Sequence, residues 1–228
     1  MSGIELSGVE PVAEVRLASS SLVELAVDQL RREILGGAFV PGDRLVEEQI
    51  TRRFQISRAP LREALRLLAQ QGLVEHLPRR GVRVATLSPT DVDELFELRD
   101  VLERHAVRKA LPGAGSLSGL HRELAAMRDA AADGRSFERA EAHRRFHVEL
   151  VALAGQRQLR LAYEPILVRL QLHMAMNLRR EQEVVASADD GVRRHAALLE
   201  AVESDDPAAV LAALANHGAQ TYLTPTPT

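Results

Sequence analysis

Ser57-Arg-Ala-Pro-Leu-Arg-Glu-Ala-Leu-Arg66 decides how the rest of the chain is read. It starts with a serine suited to helix capping and carries a proline in the first turn, where a missing N–H costs little. Leu61, Ala64, Leu65 and Leu68 follow at helical spacing on one side, while Arg58, Arg62 and Arg66 recur every fourth residue on another. A short helix with an apolar back and a basic front suits insertion into a DNA major groove. On this run alone, a solvated arginine face on an ordinary helix explains it equally well.

The flanks favour the groove. Leu45-Val-Glu-Glu-Gln-Ile-Thr-Arg-Arg-Phe54 reads as a second short amphipathic helix with Leu45, Ile50 and Phe54 inward, and only Gln55-Ile56 separates it from Ser57. Two helices joined this tightly make a helix-turn-helix whose second member reads the groove. Upstream, Ser21-Leu-Val-Glu24 reads as a capping box opening a helix that runs to about Leu35 and stops at Gly36-Gly37. Downstream, strands at 73–75 and 82–84 flank the turn Pro78-Arg-Arg-Gly81. The predicted module is a winged helix-turn-helix whose wing tip reaches phosphate or the minor groove.

Charge is divided accordingly. The chain of 228 residues is formally −3, yet Arg44 to Arg83 holds nine arginines against four glutamates, so the remainder is strongly acidic. One part is built to meet DNA and the other is not. The length suits two compact units of about 70 and 135 residues. Aromatics are only 3% and tryptophan is absent, so cores must be Leu, Val and Ala, which favours helical bundles. With no cysteine, disulfides and thiolate metal sites are excluded. No apolar run approaches membrane-spanning length and no signal-peptide pattern is present, so a cytoplasmic location with no membrane partner is expected.

Leu30-Arg-Arg-Glu-Ile-Leu-Gly-Gly-Ala-Phe-Val-Pro-Gly-Asp-Arg-Leu45, then Ile56-Ser-Arg-Ala-Pro-Leu-Arg-Glu-Ala-Leu65, then Gln71-Gly-Leu-Val74 and Arg80-Gly81, resembles the GntR family of bacterial transcription regulators. The C-terminal half is similar to the all-helical FCD effector domain of its FadR-type branch. The resemblance spans roughly Ser20 to Tyr222 and implies a homodimeric winged-helix regulator, a repressor rather than an enzyme, whose effector domain controls binding to double-stranded operator DNA. Expected DNA contacts are Arg52, Arg53, Ser57, Arg58, Ala59, Pro60, Arg62, Arg66, Arg80 and Gly81. Thr51 departs from the family's usual alanine. Glu47 and Glu48 stand where some members carry a DNA-contacting arginine, so that contact is not transferred.

The fold expected is mostly α: a loose segment 1–18, a winged helix-turn-helix over 19–86 and an antiparallel helical bundle over 87–223, ending in a frayed Thr224–Thr228 tail. Ser88, Pro89 and Asp91 mark the bundle's first helix, over 89–111. Further helices are expected at 117–133, 137–154, 157–181 with a bend at Pro165, 188–204 and 207–222.

The bundle's chemistry lies in four histidines. His143 and His147 share a helix face with Leu150, Val151 and Ala154; His195 lies on the stripe Val192, Leu199, Val202; His217 lies on Val210, Leu214, Thr221. Each alone reads most simply as a hydrogen-bonded core residue. Four together suggest one divalent transition metal, zinc or nickel, since neutral imidazole is a ligand for such ions. Metal-binding FCD members are similar in carrying Asp-x-x-Phe-His on one helix and a histidine on each of two later ones. Here His143 replaces the aspartate, which leaves open whether it coordinates. His76, His105, His121 and His173 lack this convergence and read as surface or packing residues.

Arg99 sits inward among Leu95, Leu102 and Ala106, and Arg99-Asp-Val-Leu-Glu103 matches a family motif. It either pairs internally with Glu103 or joins the metal in holding a small carboxylate effector, with Arg169 a further candidate for that pocket. Two other classes remain. A metal sensor would use the cation itself as effector. A metalloenzyme would use the same histidines, but the His143/His147 pair lacks the glutamate of a His-Glu-x-x-His motif, because 144 and 145 are arginine.

Overall fold

The computed structural model describes residues 18–180 and 188–217. The leading segment expected to be loose, except its last residue, lies outside the described residues, as do Thr221 and the Thr-Pro tail. α1 (Ala18–Leu35), α2 (Glu47–Phe54) and α3 (Arg58–Gln70) build the N-terminal module with β1 (Arg44–Leu45), β2 (Val74–Leu77) and β3 (Gly81–Val84). Leu30 and Ile34 of α1 bury against Leu61, Ala64, Leu65 and Leu68 of α3, each at most 1% exposed. This apolar back faces inward and leaves the arginines of α3 outside.

Three local expectations are corrected. Leu45 does not open the second helix but lies in a strand, paired with Val82 while Arg44 pairs with Arg83, giving the antiparallel sheet order β1-β3-β2. Gly42, at φ +88, makes the turn that brings the chain onto Val84: the Gly42 N–H donates to the Val84 carbonyl and the Val84 N–H donates to the Asp43 carbonyl. A two-residue strand is created by its partner, so no period announces it. Ser57 occupies the N-cap of α3 in extended conformation, yet its side chain accepts no capping hydrogen bond. α1 begins at Ala18, so Ser21 lies inside the helix it was expected to cap. The turn between α2 and α3 rests on Gln55, whose left-handed backbone (φ 54) sends its N–H to the Thr51 carbonyl.

The C-terminal module contains α4 (Pro89–Ala110), α5 (Ser118–Ala132), α6 (Ser136–Ala152), α7 (Arg157–Arg180), α8 (Ala188–Glu203) and α9 (Pro207–His217). Ser88 caps α4 reciprocally: its hydroxyl accepts from the Asp91 N–H at 3.1 Å while its own N–H donates to the Asp91 carboxylate at 2.8 Å. α7 stays helical through Pro165. Apolar faces of α4, α5, α6, α8 and α9 enclose one core, while α4, α6 and α7 enclose another around Tyr163.

α7 also reaches the other module. Val168 and Leu172 belong to the core built by α1 and α3, although their neighbours Leu167 and Leu170 belong to the bundle. Around this apolar plug, Arg32 pairs with Glu138 at 2.9 Å and lies over the Phe137 ring. Arg31 donates to Gln71 at 2.8 Å, and Gln171 donates to Glu141 at 2.8 Å. At Gly72 (φ +73) a Cβ would stand 2.8 Å from the Arg169 Cδ, so the chain needs glycine there for two reasons.

Candidate nucleic-acid interface and metal centre

The basic face of the winged helix is organised by carboxylates. Arg62 of α3 donates through Nε to Glu47 of α2 at 2.9 Å, Arg52 pairs with Glu48 at 2.6 Å, and Arg66 holds Glu63 through both Nε and Nη2. Arg53 turns toward Glu33 of α1 and lies over the rings of Phe54 and Phe39, a bracing position behind the reading face. Among the described residues, Arg58 and Arg80 make no ion pair. Arg58 is exposed at the first position of α3, with Ser57, Ala59 and Pro60 around it. Arg80 and Gly81 (φ +88) form the wing tip, where the Arg80 N–H closes the turn onto Leu77.

Arg44 was not singled out by spacing, yet it joins this face. It lines a cavity of about 310 Å³ with Arg58, Glu47, Glu48 and Gly81. Its guanidinium lies 3.8 Å from where a Gly81 Cβ would project. Only the β1–β3 pairing puts it beside the wing, so the chain itself carries no cue beyond its charge.

The four histidines of the bundle converge. Single donor atoms of His143, His147, His195 and His217 lie within 4.8 Å of one another, with His147 fully buried, His195 and His217 nearly so and His143 partly exposed. The Nε2 atoms of His195 and of His217 each stand 3.2 Å from the Nε2 of His147. The opposite nitrogens fix two tautomers. His147 Nδ1 lies 2.9 Å from a Glu103 carboxylate oxygen, and His195 Nδ1 lies 2.7 Å from the Gly191 carbonyl. Both partners accept only, so both Nδ1 atoms carry the proton and both Nε2 atoms present lone pairs to each other.

Facing lone pairs cannot satisfy one another. Burial presses all four imidazoles toward the neutral form: His143 and His147 fall well below the ordinary value, His217 is lowered, and His195 is lowered to about 4. Burial is the largest cause in each. The fields of neighbouring histidines add to it at His143 and His217, and that of Arg99 at His147 and His195. The set therefore fits a divalent transition metal by chemistry and by size. Tetrahedral nitrogens bonded at about 2.0–2.1 Å to zinc stand roughly 3.3–3.4 Å apart. His143 is the outlier, since it meets His147 and His195 edge-on at ring separations of 4.8 and 4.7 Å with no direct hydrogen bond to either.

Behind His147 is a buried assembly. One oxygen of Glu103 accepts from Arg99 Nε at 2.9 Å, from His147 Nδ1 and from the Tyr163 hydroxyl. Burial and the adjacent Glu103 charge raise the Tyr163 phenol well above its usual range, so it remains a donor. Arg99 Nη2 stands 2.9 Å from His147 Nε2, within donating distance of the lone pair there, and 3.2 Å from Nδ1. Arg99 thus pairs internally and also lies beside the histidine centre. Glu103 was legible as its salt-bridge partner, whereas Tyr163 carried no sequence signal. Arg169 lies elsewhere, against Gly72 and within the field of Asp91 at the junction of the modules.

His76, His105 and His121 are exposed, His105 near Gln156 and His121 near Glu203. Burial lowers the pKa of His173.

A winged helix joined to a helical bundle with an internal histidine centre is the architecture of a DNA-binding regulator. The gntR family of bacterial regulatory proteins matches residues 22–84, and the FCD domain matches residues 94–220. The chain is 34% identical over 142 residues to YdhC of Bacillus subtilis (strain 168), an uncharacterized HTH-type transcriptional regulator. That match covers 61% of this chain and 63% of YdhC. It is 27% identical over 205 residues to the HTH-type transcriptional repressor GlaR of Escherichia coli (strain K12), covering 87% and 91% of the two chains. Among solved structures, a GntR regulator from Rhodococcus sp. RHA1 superposes with TM-score 0.73 at 25% identity, over 89% of this chain and 94% of that one. The chain belongs to the GntR family and carries an FCD domain; it is a DNA-binding transcriptional regulator and not an enzyme.

Proposed function

We propose that this regulator is a cytoplasmic, homodimeric repressor whose grip on operator DNA is set by a small carboxylate bound at a metal centre in the FCD domain. The observation that carries the reading is the meeting of three Nε2 atoms, two of them with tautomers fixed by Glu103 and Gly191. His147, His195 and His217 would hold one divalent transition metal, zinc or nickel, with His143 as a fourth ligand or a neighbour. When bound, the cation supplies an open positive position for an anion. Arg99, beside His147, would hold the anion's other oxygen.

On the DNA side, Arg58 and Arg62 read the groove while Arg52, Arg66, Arg80 and Arg44 meet phosphates. One winged helix makes too few base contacts for strong specificity, so a dimer on a near-palindromic site is expected, its half-sites about one helical turn apart or less. The repressor function of GlaR is in keeping with this reading.

One observation favours a second reading. Arg99 already spends its Nε on Glu103, which reduces what it offers a carboxylate and suits a regulator that senses the cation itself. Titrating operator affinity against zinc and nickel, with and without a panel of small carboxylates, separates the two. Dependence on carboxylate at saturating metal supports the first. Dependence on metal alone supports the second. Indifference to both removes the centre from regulation.

A further inference from the structure

We propose that Glu47 is a specificity-determining residue, holding Arg62 in the orientation from which its guanidinium reads a guanine in the major groove. The inference rests on the groove-reading role given above to α3.

The bond between them joins two helices, from the first residue of α2 to the fifth residue of α3, at 2.9 Å. It uses the Nε of Arg62. Among the described residues neither terminal amino group of that guanidinium has a partner, and the side chain is 64% exposed. Two parallel N–H groups facing outward from a fixed plane are what O6 and N7 of guanine accept. A long arginine without a support would have to freeze its torsions on binding; here the carboxylate has done so in the free protein.

Glu47 differs from the other acids of this face. The Arg52–Glu48 and Arg66–Glu63 pairs each lie within one helix, with both partners about half exposed or more, as ordinary solvated pairs do. Glu47 is only 32% exposed and lines the same cavity as Arg58, one helical turn before Arg62 on the same face. A carboxylate on a surface that approaches phosphates works against affinity. Its place between two groove-facing arginines is accounted for if it trades affinity at every sequence for discrimination at one base pair.

The test uses the full chain. An operator is first selected from a randomised duplex pool by the wild-type protein. Affinities are then measured for every single-base-pair variant of it with wild type, Glu47→Ala, Glu47→Gln, Arg58→Ala, Arg62→Ala and the Glu47→Ala/Arg62→Ala double variant. Thermal melts identify variants that fail to fold, and Glu47→Gln keeps the side-chain shape should the alanine variant fail. Expected is a loss of about tenfold or more in discrimination at one base pair, the same for Glu47→Ala and Arg62→Ala, with Glu47→Gln between. The double variant should lose no more than Arg62→Ala alone. A uniform gain in affinity across all sequences for both Glu47 variants would overturn the proposal, leaving only a charge effect. So would additive losses at different base pairs, which would make Glu47 a reader in its own right. If Arg62→Ala changes discrimination but neither Glu47 variant does, only the support role fails. If Arg58→Ala and Arg62→Ala both leave binding intact, the groove-reading role of α3 fails with it.

Discussion

His147 presents its Nδ1 to Glu103 at 2.9 Å, and this one contact sets which nitrogen of the most buried histidine faces the other three. Without an acceptor at that point, His147 could carry its proton on Nε2 and close the centre to a cation. Outer partners of this kind typically change metal affinity by 10- to 100-fold. Glu103→Gln is expected to weaken zinc or nickel binding by about that factor, measured by competition with a chromophoric chelator. Tyr163→Phe, which keeps the carboxylate and Arg99, is expected to weaken it less. Equal affinity in Glu103→Gln and wild type would remove Glu103 from the centre.

Ligand number is checked by elemental analysis. Native protein should carry about one metal per chain, and His147→Ala/His195→Ala should carry almost none. His143→Ala separates four ligands from three: full retention places His143 outside the coordination set, and a loss comparable to that of His217→Ala places it inside.

In metal-free protein the histidines make stability fall on the acid side. Their unfolded values lie near 6.5, and His195 is lowered to about 4 by burial. A depressed folded value means that the unfolded chain takes up protons first. Stability is complete above about pH 6.5 and declines as pH falls toward 4. His195 alone accounts for on the order of 3 kcal/mol across that window. Denaturant melts of chelator-treated protein at pH 7.5 and 5 should show the drop, and His195→Asn should reduce it. Bound metal should add stability at pH 7 and lose occupancy as pH falls toward 4, where protons compete for the depressed imidazoles.

Among the described residues, Arg58 has no ion pair to break before it meets DNA. Arg58→Ala is expected to cost about 1–3 kcal/mol at the selected operator and to relax one base position. Arg80→Ala should instead weaken binding at all sequences and reduce the salt dependence by about one counterion. Gel shifts over a salt series distinguish the two, and unchanged binding of Arg58→Ala would remove it from the reading face.

Gly72 offers a test of the junction between modules. Gly72→Ala imposes a side chain on a backbone at φ +73 and drives it toward the Arg169 Cδ. A loss of about 1–3 kcal/mol is expected from chemical melts. Arg169→Ala in the same chain should recover the steric part but not the backbone part.

What the chain's spacing revealed, and what it did not, follows from the range of the interactions. Helices α3 and α4 were legible because Leu61, Leu65 and Leu68, or Ser88, Pro89 and Asp91, act within a few residues of one another. The histidine convergence was legible because each imidazole lies on the apolar stripe of its own helix, and stripes must meet in a bundle. β1 was not, since its two residues become a strand only beside Val82 and Arg83. Nor were the Tyr163–Glu103 contact and the Arg169–Gly72 contact, which join residues 60 and 97 positions apart through packing alone. The serines at 21 and 57 fit capping patterns whose hydrogen bonds are not made, because α1 extends past the first and the hydroxyl of the second, though at the N-cap, accepts no capping bond.

Val168 and Leu172 give the DNA-reading half a borrowed floor. A fragment ending near Thr86 would lose both side chains and open a socket beneath α1 and α3, lined by groups that are dry in the full chain. Filling that socket contributes on the order of 3–6 kcal/mol, a large share of what a module of this size has to spare. The winged helix excised at the boundary should therefore melt early, cluster through the uncovered patch and yield to proteases at sites hidden in the intact protein. Heating the whole chain should produce one transition rather than two.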